Sequence, residues 1–371
     1  MKIVLGLLGL SFLVFFHELG HFLIASAMGV TVEAFSIGMG PVLLHHKWGK
    51  TDYRISLIPI GGYCSMKGEK DYQNALETNQ KEIHGEKDSF YGVHPFKRLL
   101  IAFAGPFFNV IFAFIAFTII ALMGYTYTTA GNRVLMTSDV EEYKDSPSPA
   151  SEAGMKSGDI IVSMDGNEVN DFTEIRQYIA MHGGETVRVK VLRNEQYLEI
   201  DVPLGLDKST GSGFMGIVLD KDSVIQKNYG PYSFFPALAQ GVKKSVNTIG
   251  IVIKSVGILF KGVNLTSAVS GPVRTTVIIG DMISTGFEEG ARIGIINTLE
   301  FLAFISISLF LTNLLPIPIL DGGLILFAFI ECITRRKMNP KLLYYIQMVG
   351  LIMVVCISAL AIVGDIVYFI K

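Results

Sequence analysis

Apolar residues along this chain collect into long blocks and do not recur at helical or strand spacing through polar sequence. Four blocks, at about 3–28, 99–124, 299–333 and 342–370, are long enough to cross a bilayer, which takes about 20 apolar residues in a helix. Between the first two, at about 35–67, lies a glycine-bearing segment in which Tyr53 to Ile58 alternates as a strand and Gly61-Gly62 reads as a turn. A polar insert separates the second block from the third. Its pattern predicts a small-residue helix from Ala150 to Met155, a strand from Ile160 to Met164, and a turn at Asp165-Gly166-Asn167. A helix from Phe172 to Met181 follows, then strands Thr186 to Arg193 and Tyr197 to Pro203 joined at Asn194-Glu195. From Gly230 to about Gly262, Lys243, Lys244, Lys254 and Lys261 punctuate apolar residues, which predicts a helix lying on the membrane surface, because the lysines interrupt every run long enough to span. The expected divisions are an N-terminal membrane region over residues 1–130, an insert over 131–222, a surface helix and linker over 223–297, and a C-terminal membrane region over 298–371.

Composition agrees with a membrane chain: 371 residues, 50% hydrophobic and 17% charged. A net charge of -2 without a basic stripe argues against nucleic acid as a partner. Cys64, Cys332 and Cys356 form no C-x-x-C pair, so neither a disulfide framework nor a thiolate metal site is expected. Lys47, Lys50, Arg54, Lys97 and Arg98 precede the second block, and Arg335, Arg336, Lys337 and Lys341 fill the loop between the third and fourth. Both loops are expected on the cytoplasmic side, with the insert and both termini opposite.

The first block contains FFHELGHF, residues 15–22. A signal peptide ending at Ala25-Ser26-Ala27 would fit the flanks, but a carboxylate in lipid costs about 2.5–3.5 kcal/mol and a signal peptide gains nothing from it. Four residues apart on a helix, His17 and His21 can aim two imidazole nitrogens at one metal ion. Glu18, rotated aside, suits the general base of an H-E-x-x-H metalloprotease, where zinc acidifies water toward a pKa of ~7. The longer H-E-x-x-H-x-x-G-x-x-H pattern is excluded by Ile24 and Ala27. For a third ligand, Glu33 comes too soon after the helix. Asp321 is the better candidate, an acid in the third block where Pro316, Pro318, Gly322 and Gly323 break the helix, and broken backbone at membrane depth lines protein or water.

HELGH in the first block and NLLPIPILDGG in the third resemble the site-2 protease family of intramembrane zinc metalloproteases, in its bacterial branch with a PDZ insert. FSIGMGP is similar to that family's membrane re-entrant β-loop, AGPFFN to its G-P-x-x-N motif, and SGPVR to its Gly-Pro element. The resemblance implies a polytopic α-helical membrane protein with four transmembrane helices, a re-entrant β-loop and an inserted α+β PDZ domain. It implies one zinc ion on His17, His21 and Asp321, Glu18 as general base, and Asn109 and Asn313 supporting substrate backbone or site geometry. The substrates expected are single-pass membrane proteins, such as anti-sigma factors or signal-peptide remnants, cut within the bilayer after a first cut. The strand at Ile55, followed by Gly61 and Gly62, would offer an edge to hold the unwound substrate. A bacterial inner membrane is the expected location, with the PDZ domain, which could take a peptide ligand, outside and the active site toward the cytoplasm. Two rivals are a non-catalytic PDZ membrane adaptor with a structural metal, against which Glu18 speaks, and a metal transporter using intramembrane His and Asp, disfavoured by the absence of an inverted repeat.

Overall fold

The computed structural model describes residues 2–208, 210–259 and 271–370; Lys261 of the expected surface helix and Ser270 of the Gly-Pro element lie outside them. The chain divides into two compact units. One comprises Met1–Ala121, Ser233–Val252 and Ser270–Lys371, the other Leu122–Tyr232 and Ile253–Val269.

The first unit opens with α1 (Lys2–Met28), whose side chains carry no acid or base between Lys2 and His17. Its exposed last carbonyls meet a cation: Lys97 Nζ donates to Met28 O at 3.0 Å, the favourable sign at a helix C-terminus. Strands β1 (Val32–Trp48) and β2 (Thr51–Met66) follow. They reverse between Trp48 and Thr51 with Gly49 at φ 62, which glycine adopts freely. The two strands are folded again on themselves. Phe35 is partnered by both Tyr53 and Cys64, and Ile37 by both Ile55 and Gly62. Bulges at Gly38, Gly40 and Gly61, at φ 84, 83 and 84, make that second fold possible. Gly61 and Gly62 therefore lie inside β2 and not in a turn, and Ile55 is paired on two sides, with Ile37 and Leu44. After α2 (Glu69–Glu77) comes α3 (Pro95–Met123), which holds Pro106 within it.

The second unit begins with β3 (Tyr125–Ala130), so the insert starts ahead of the expected residue 131. Elements β4 (Val134–Met136), α4 (Pro149–Glu152), β5 (Ile160–Met164), β6 (Asn167–Glu168), α5 (Phe172–Met181), β7 (Thr186–Arg193) and β8 (Gln196–Pro203) follow. Short β9 (Gly205–Leu206), β10 (Gly213–Phe214), β11 (Ile217–Leu219) and β12 (Val224–Tyr229) complete it. An antiparallel sheet in the order β6-β5-β7-β8 carries Val187, Val189, Val191 and Val202 into a core closed by Ile175 and Ile179 of α5. Asp171 caps α5, accepting from Glu174 N at 2.9 Å. Asn194 and Glu195, both at positive φ, form the hairpin turn expected between β7 and β8. Strand β12 pairs with β3 along its whole length, Tyr229 with Tyr125 through Val224 with Ala130. Residues 224–229 are thus strand, not part of a surface helix, because their alternating polar residues complete a ribbon with YTYTTA.

Helices α6 (Phe234–Leu259), α7 (Pro272–Glu288), α8 (Ala291–Asn313), α9 (Asp321–Thr334) and α10 (Pro340–Ile370) finish the chain. The expected third span resolves into α8 and α9, because Pro316 and Pro318 interrupt the helix between them. Among the described residues α1, α3, α8 and α10 are long and apolar enough to cross a membrane. Gly6 of α1 lets α7 approach: a Cβ there would lie 2.0 Å from Thr276 O. At the start of α7, Asp365 of α10 accepts from Gly271 N at 2.7 Å and from Val273 N and Arg274 N at 3.1 Å each.

Candidate metal centre

The spacing of His17 and His21 places both rings on one face of α1, with Nε2 atoms 3.3 Å apart. Asp321, the first residue of α9, brings Oδ2 to 3.1 Å from His17 Nε2 and Oδ1 to 3.4 Å from His21 Nε2. One donor atom from each of the three residues lies within 4.8 Å of the other two. Donors about 2.0–2.1 Å from a tetrahedral ion stand about 3.3 Å from one another. Two imidazoles and a carboxylate at these separations fit a divalent ion that prefers nitrogen and oxygen ligands, with a fourth position open.

Each imidazole is oriented by its other nitrogen. His21 Nδ1 donates to Ile101 O of α3 at 2.8 Å, which leaves the Nε2 lone pair facing Asp321. His17 Nδ1 lies 3.2 Å from the side-chain amide of Asn109, a fully buried residue whose Oδ1 has no partner among the described residues. Turning that amide over lets Oδ1 accept Nδ1–H of His17, and Nε2 is then the free donor. Ser306 of α8 holds Asn109 in turn, its hydroxyl donating to Asn109 O at 2.9 Å.

Two glycines permit this packing. A Cβ on Gly105 would sit 2.2 Å from His21 Nε2, and one on Gly20 would sit 2.4 Å from Ala104 O. Both distances are shorter than any real contact, so α1 and α3 meet only because these positions carry no side chain.

Glu18 lies beside the three donors in a cavity of about 360 Å³ lined also by Tyr63, Cys64 and Tyr91. Its carboxylate faces the Cys64 backbone N–H, and its Cγ is 3.7 Å from where a Gly62 Cβ would be. Of the residues expected at the site, His17, Glu18, His21, Asp321, Asn109 and Gly62 are brought together. Gly61 packs on Met39 instead. Ile55 is half exposed within a doubly paired strand and offers no free edge. Asn313 ends α8 and does not line the cavity. Tyr63, Cys64 and Met66, each with a single strand partner on β1, are the strand residues that border the cavity. Their position was hidden because Gly61-Gly62 has the composition of a turn.

Residues 5–357 match the model of Peptidase family M50. A candidate zinc metalloprotease of Treponema pallidum is 33% identical, over 98% of this chain and 98% of its own. One of Campylobacter jejuni is 32% identical over 96% of this chain and 91% of its own, and one of Bartonella henselae 31% over 95% and 98%.

Proposed function

We infer the reaction from one premise: the chain belongs to Peptidase family M50, the site-2 protease family, and is a peptidase of the membrane. It uses zinc, held by His17, His21 and Asp321, to hydrolyse peptide bonds within transmembrane segments of single-pass membrane proteins after a first cut has shortened them. The observation that carries this reading is the convergence of the three donors beside Glu18, two of them with Glu18 on α1, a helix apolar enough to span a bilayer. A carboxylate and two imidazoles would be an expensive burial there without a reaction to serve.

When bound, zinc supplies a Lewis acid that polarises the scissile carbonyl and acidifies water. Glu18 takes the proton of the attacking water and returns it to the leaving amine, a transfer for which an oxygen beside the metal donors is placed. Asn109 and the Ile101 carbonyl hold the two rings. The outer side of β2 at Tyr63 and Cys64 supports backbone pairing with an unwound substrate, a role that moves here from Ile55. Asn313 would act on substrate backbone only after a shift toward the cavity.

The sheet and helix of the second unit support a PDZ domain able to take a peptide ligand. The basic residues between α9 and α10 support a cytoplasmic position for that loop, an active site toward the cytoplasm and a bacterial inner-membrane setting. Arg98 does not add to this bias, since it is buried against Glu331.

The test compares wild type with Glu18→Gln in the same membranes, on a tagged single-pass reporter lacking its ectodomain, with zinc measured in both. Wild type should cut within the span while Glu18→Gln retains zinc and is inert. If several reporters stay uncut although both proteins hold zinc, the protein is an adaptor with a structural metal.

A further inference from the structure

The two histidines share one helix, so the spacing of their backbone positions is fixed by α1. Asp321 is different. It begins α9 after seven residues, 314–320, that are not helical, so its distance from α1 is set by the packing of separate elements and not by the geometry of one helix. Ten residues further along α9, Glu331 is buried, and its carboxylate is ion-paired with Arg98 in the first turns of α3. Both side chains are 8% exposed. The other Glu331 oxygen accepts from Met338 N at 2.9 Å, which ties the end of α9 to the following loop. The Arg98 guanidinium also lies 5.8 Å from the ring centroid of Tyr91, a wall of the cavity.

We propose that the Arg98–Glu331 pair is a positioning clamp that sets α9 along α3 and thereby holds the Asp321 carboxylate within reach of His17 and His21. Helix α3 is the appropriate reference, because its Ile101 carbonyl and Asn109 amide orient the same two rings. A helix rises about 1.5 Å per residue, so a slip of α9 by one residue carries Asp321 out of the range it now occupies. Apolar side chains of similar size could fill the same space with equal stability. They could not fix an axial register as a directed ion pair does. The proposal rests on the reading of His17, His21 and Asp321 as the zinc site.

The experiment uses the full-length protein in detergent and in bilayers, with Arg98→Gln, Glu331→Gln, the apolar double variant Arg98→Met/Glu331→Met and the exchanged pair Arg98→Glu/Glu331→Arg. Three quantities are read: the rate of zinc loss to a chelator, the thermal unfolding midpoint, and kcat and KM on the reporter. The single variants should lose zinc about 10-fold faster or more and show lowered kcat at unchanged KM. The apolar pair should regain the unfolding midpoint while keeping fast zinc loss and low kcat, and the exchanged pair should recover zinc retention. If the apolar pair restores zinc retention along with the midpoint, or the single variants keep zinc as wild type does, the clamp is refuted. A wild type that cuts the reporter but holds no zinc through His17, His21 and Asp321 would refute the functional reading, and the clamp with it.

Discussion

Gly105 contributes to the site by having no side chain. A methyl group there would meet the Nε2 atom that His21 turns toward Asp321, and the ring cannot retreat without giving up its bond to Ile101 O. Gly105→Ala should therefore abolish zinc retention and cleavage, with overpacking costing about 1–3 kcal/mol of stability; metal content of the purified protein checks it. Asn109 gives a sharper test, because the proposed role belongs to one oxygen. Asn109→Leu should weaken zinc binding by about 10–100-fold, whereas Asn109→Asp, which keeps an acceptor for His17 Nδ1–H, should retain it. Equal losses in chelator competition would show that the amide acts otherwise. His17, Glu18 and His21 were legible because four-residue spacing on a helix is a local relation, and Asp321 because an acid among prolines in an apolar block is conspicuous. Gly105 was visible only within a motif, since the atom it makes room for lies on another helix.

Among the elements, the first, second and fourth apolar helices were legible from block length, and α5, β5 and β7 lie where the pattern of the insert placed a helix and two strands. The doubled pairing of β1 with β2 was not, because it depends on positive-φ glycines that bulge the strands without ending them. It changes what Ile55→Pro should do. The substitution disturbs pairing on two sides and should unravel the hairpin, with increased protease sensitivity, and not merely trim an edge. The base of the hairpin is tied by Asp88, which accepts from Thr31 Oγ1 at 2.9 Å and Lys67 Nζ at 2.7 Å. The hydrogen bond from Lys67 holds its carboxyl down at about 2. A depressed carboxyl stabilises fully above its ordinary range and loses that contribution as pH falls through the folded value. Asp88→Asn should thus loosen the hairpin at pH 7 in limited proteolysis, while acidifying wild type from pH 8 to 5 should not. Asp365, which accepts three N–H groups at the start of α7, stands apart from the metal centre. Asp365→Ala should cost about 1–3 kcal/mol and lower the unfolding midpoint, with zinc content unchanged.

For the whole molecule the question is how far the second unit can be separated from the chemistry of the first. Among the described residues, none at the candidate metal centre comes from 122–232. The ribbon of β3 and β12 brings the ends of the insert together, with Ala130 opposite Val224 and Gly131 N donating to Ser223 O at 2.7 Å. The boundary expected at 131 therefore falls at the tip of this ribbon, and its pairing was missed because YTYTTA follows directly on an apolar helix. The ribbon supplies a place to excise, at the loss of the ion pair between Lys227 and Asp171. Residues 131–223 can be replaced by Asn-Gly, which closes a two-residue hairpin between Ala130 and Val224. The shortened protein should retain zinc and cut the ectodomain-free reporter at a rate near that of wild type. If the insert acts as a filter against uncut substrates, full-length single-pass proteins that wild type leaves intact should now be cleaved. If they remain intact while the short reporter is cut, the insert does not select by size, and its cavity between α5 and β11, about 1290 Å³ and bordered by Phe172, Ile179 and Phe214, becomes the place to look for a peptide ligand.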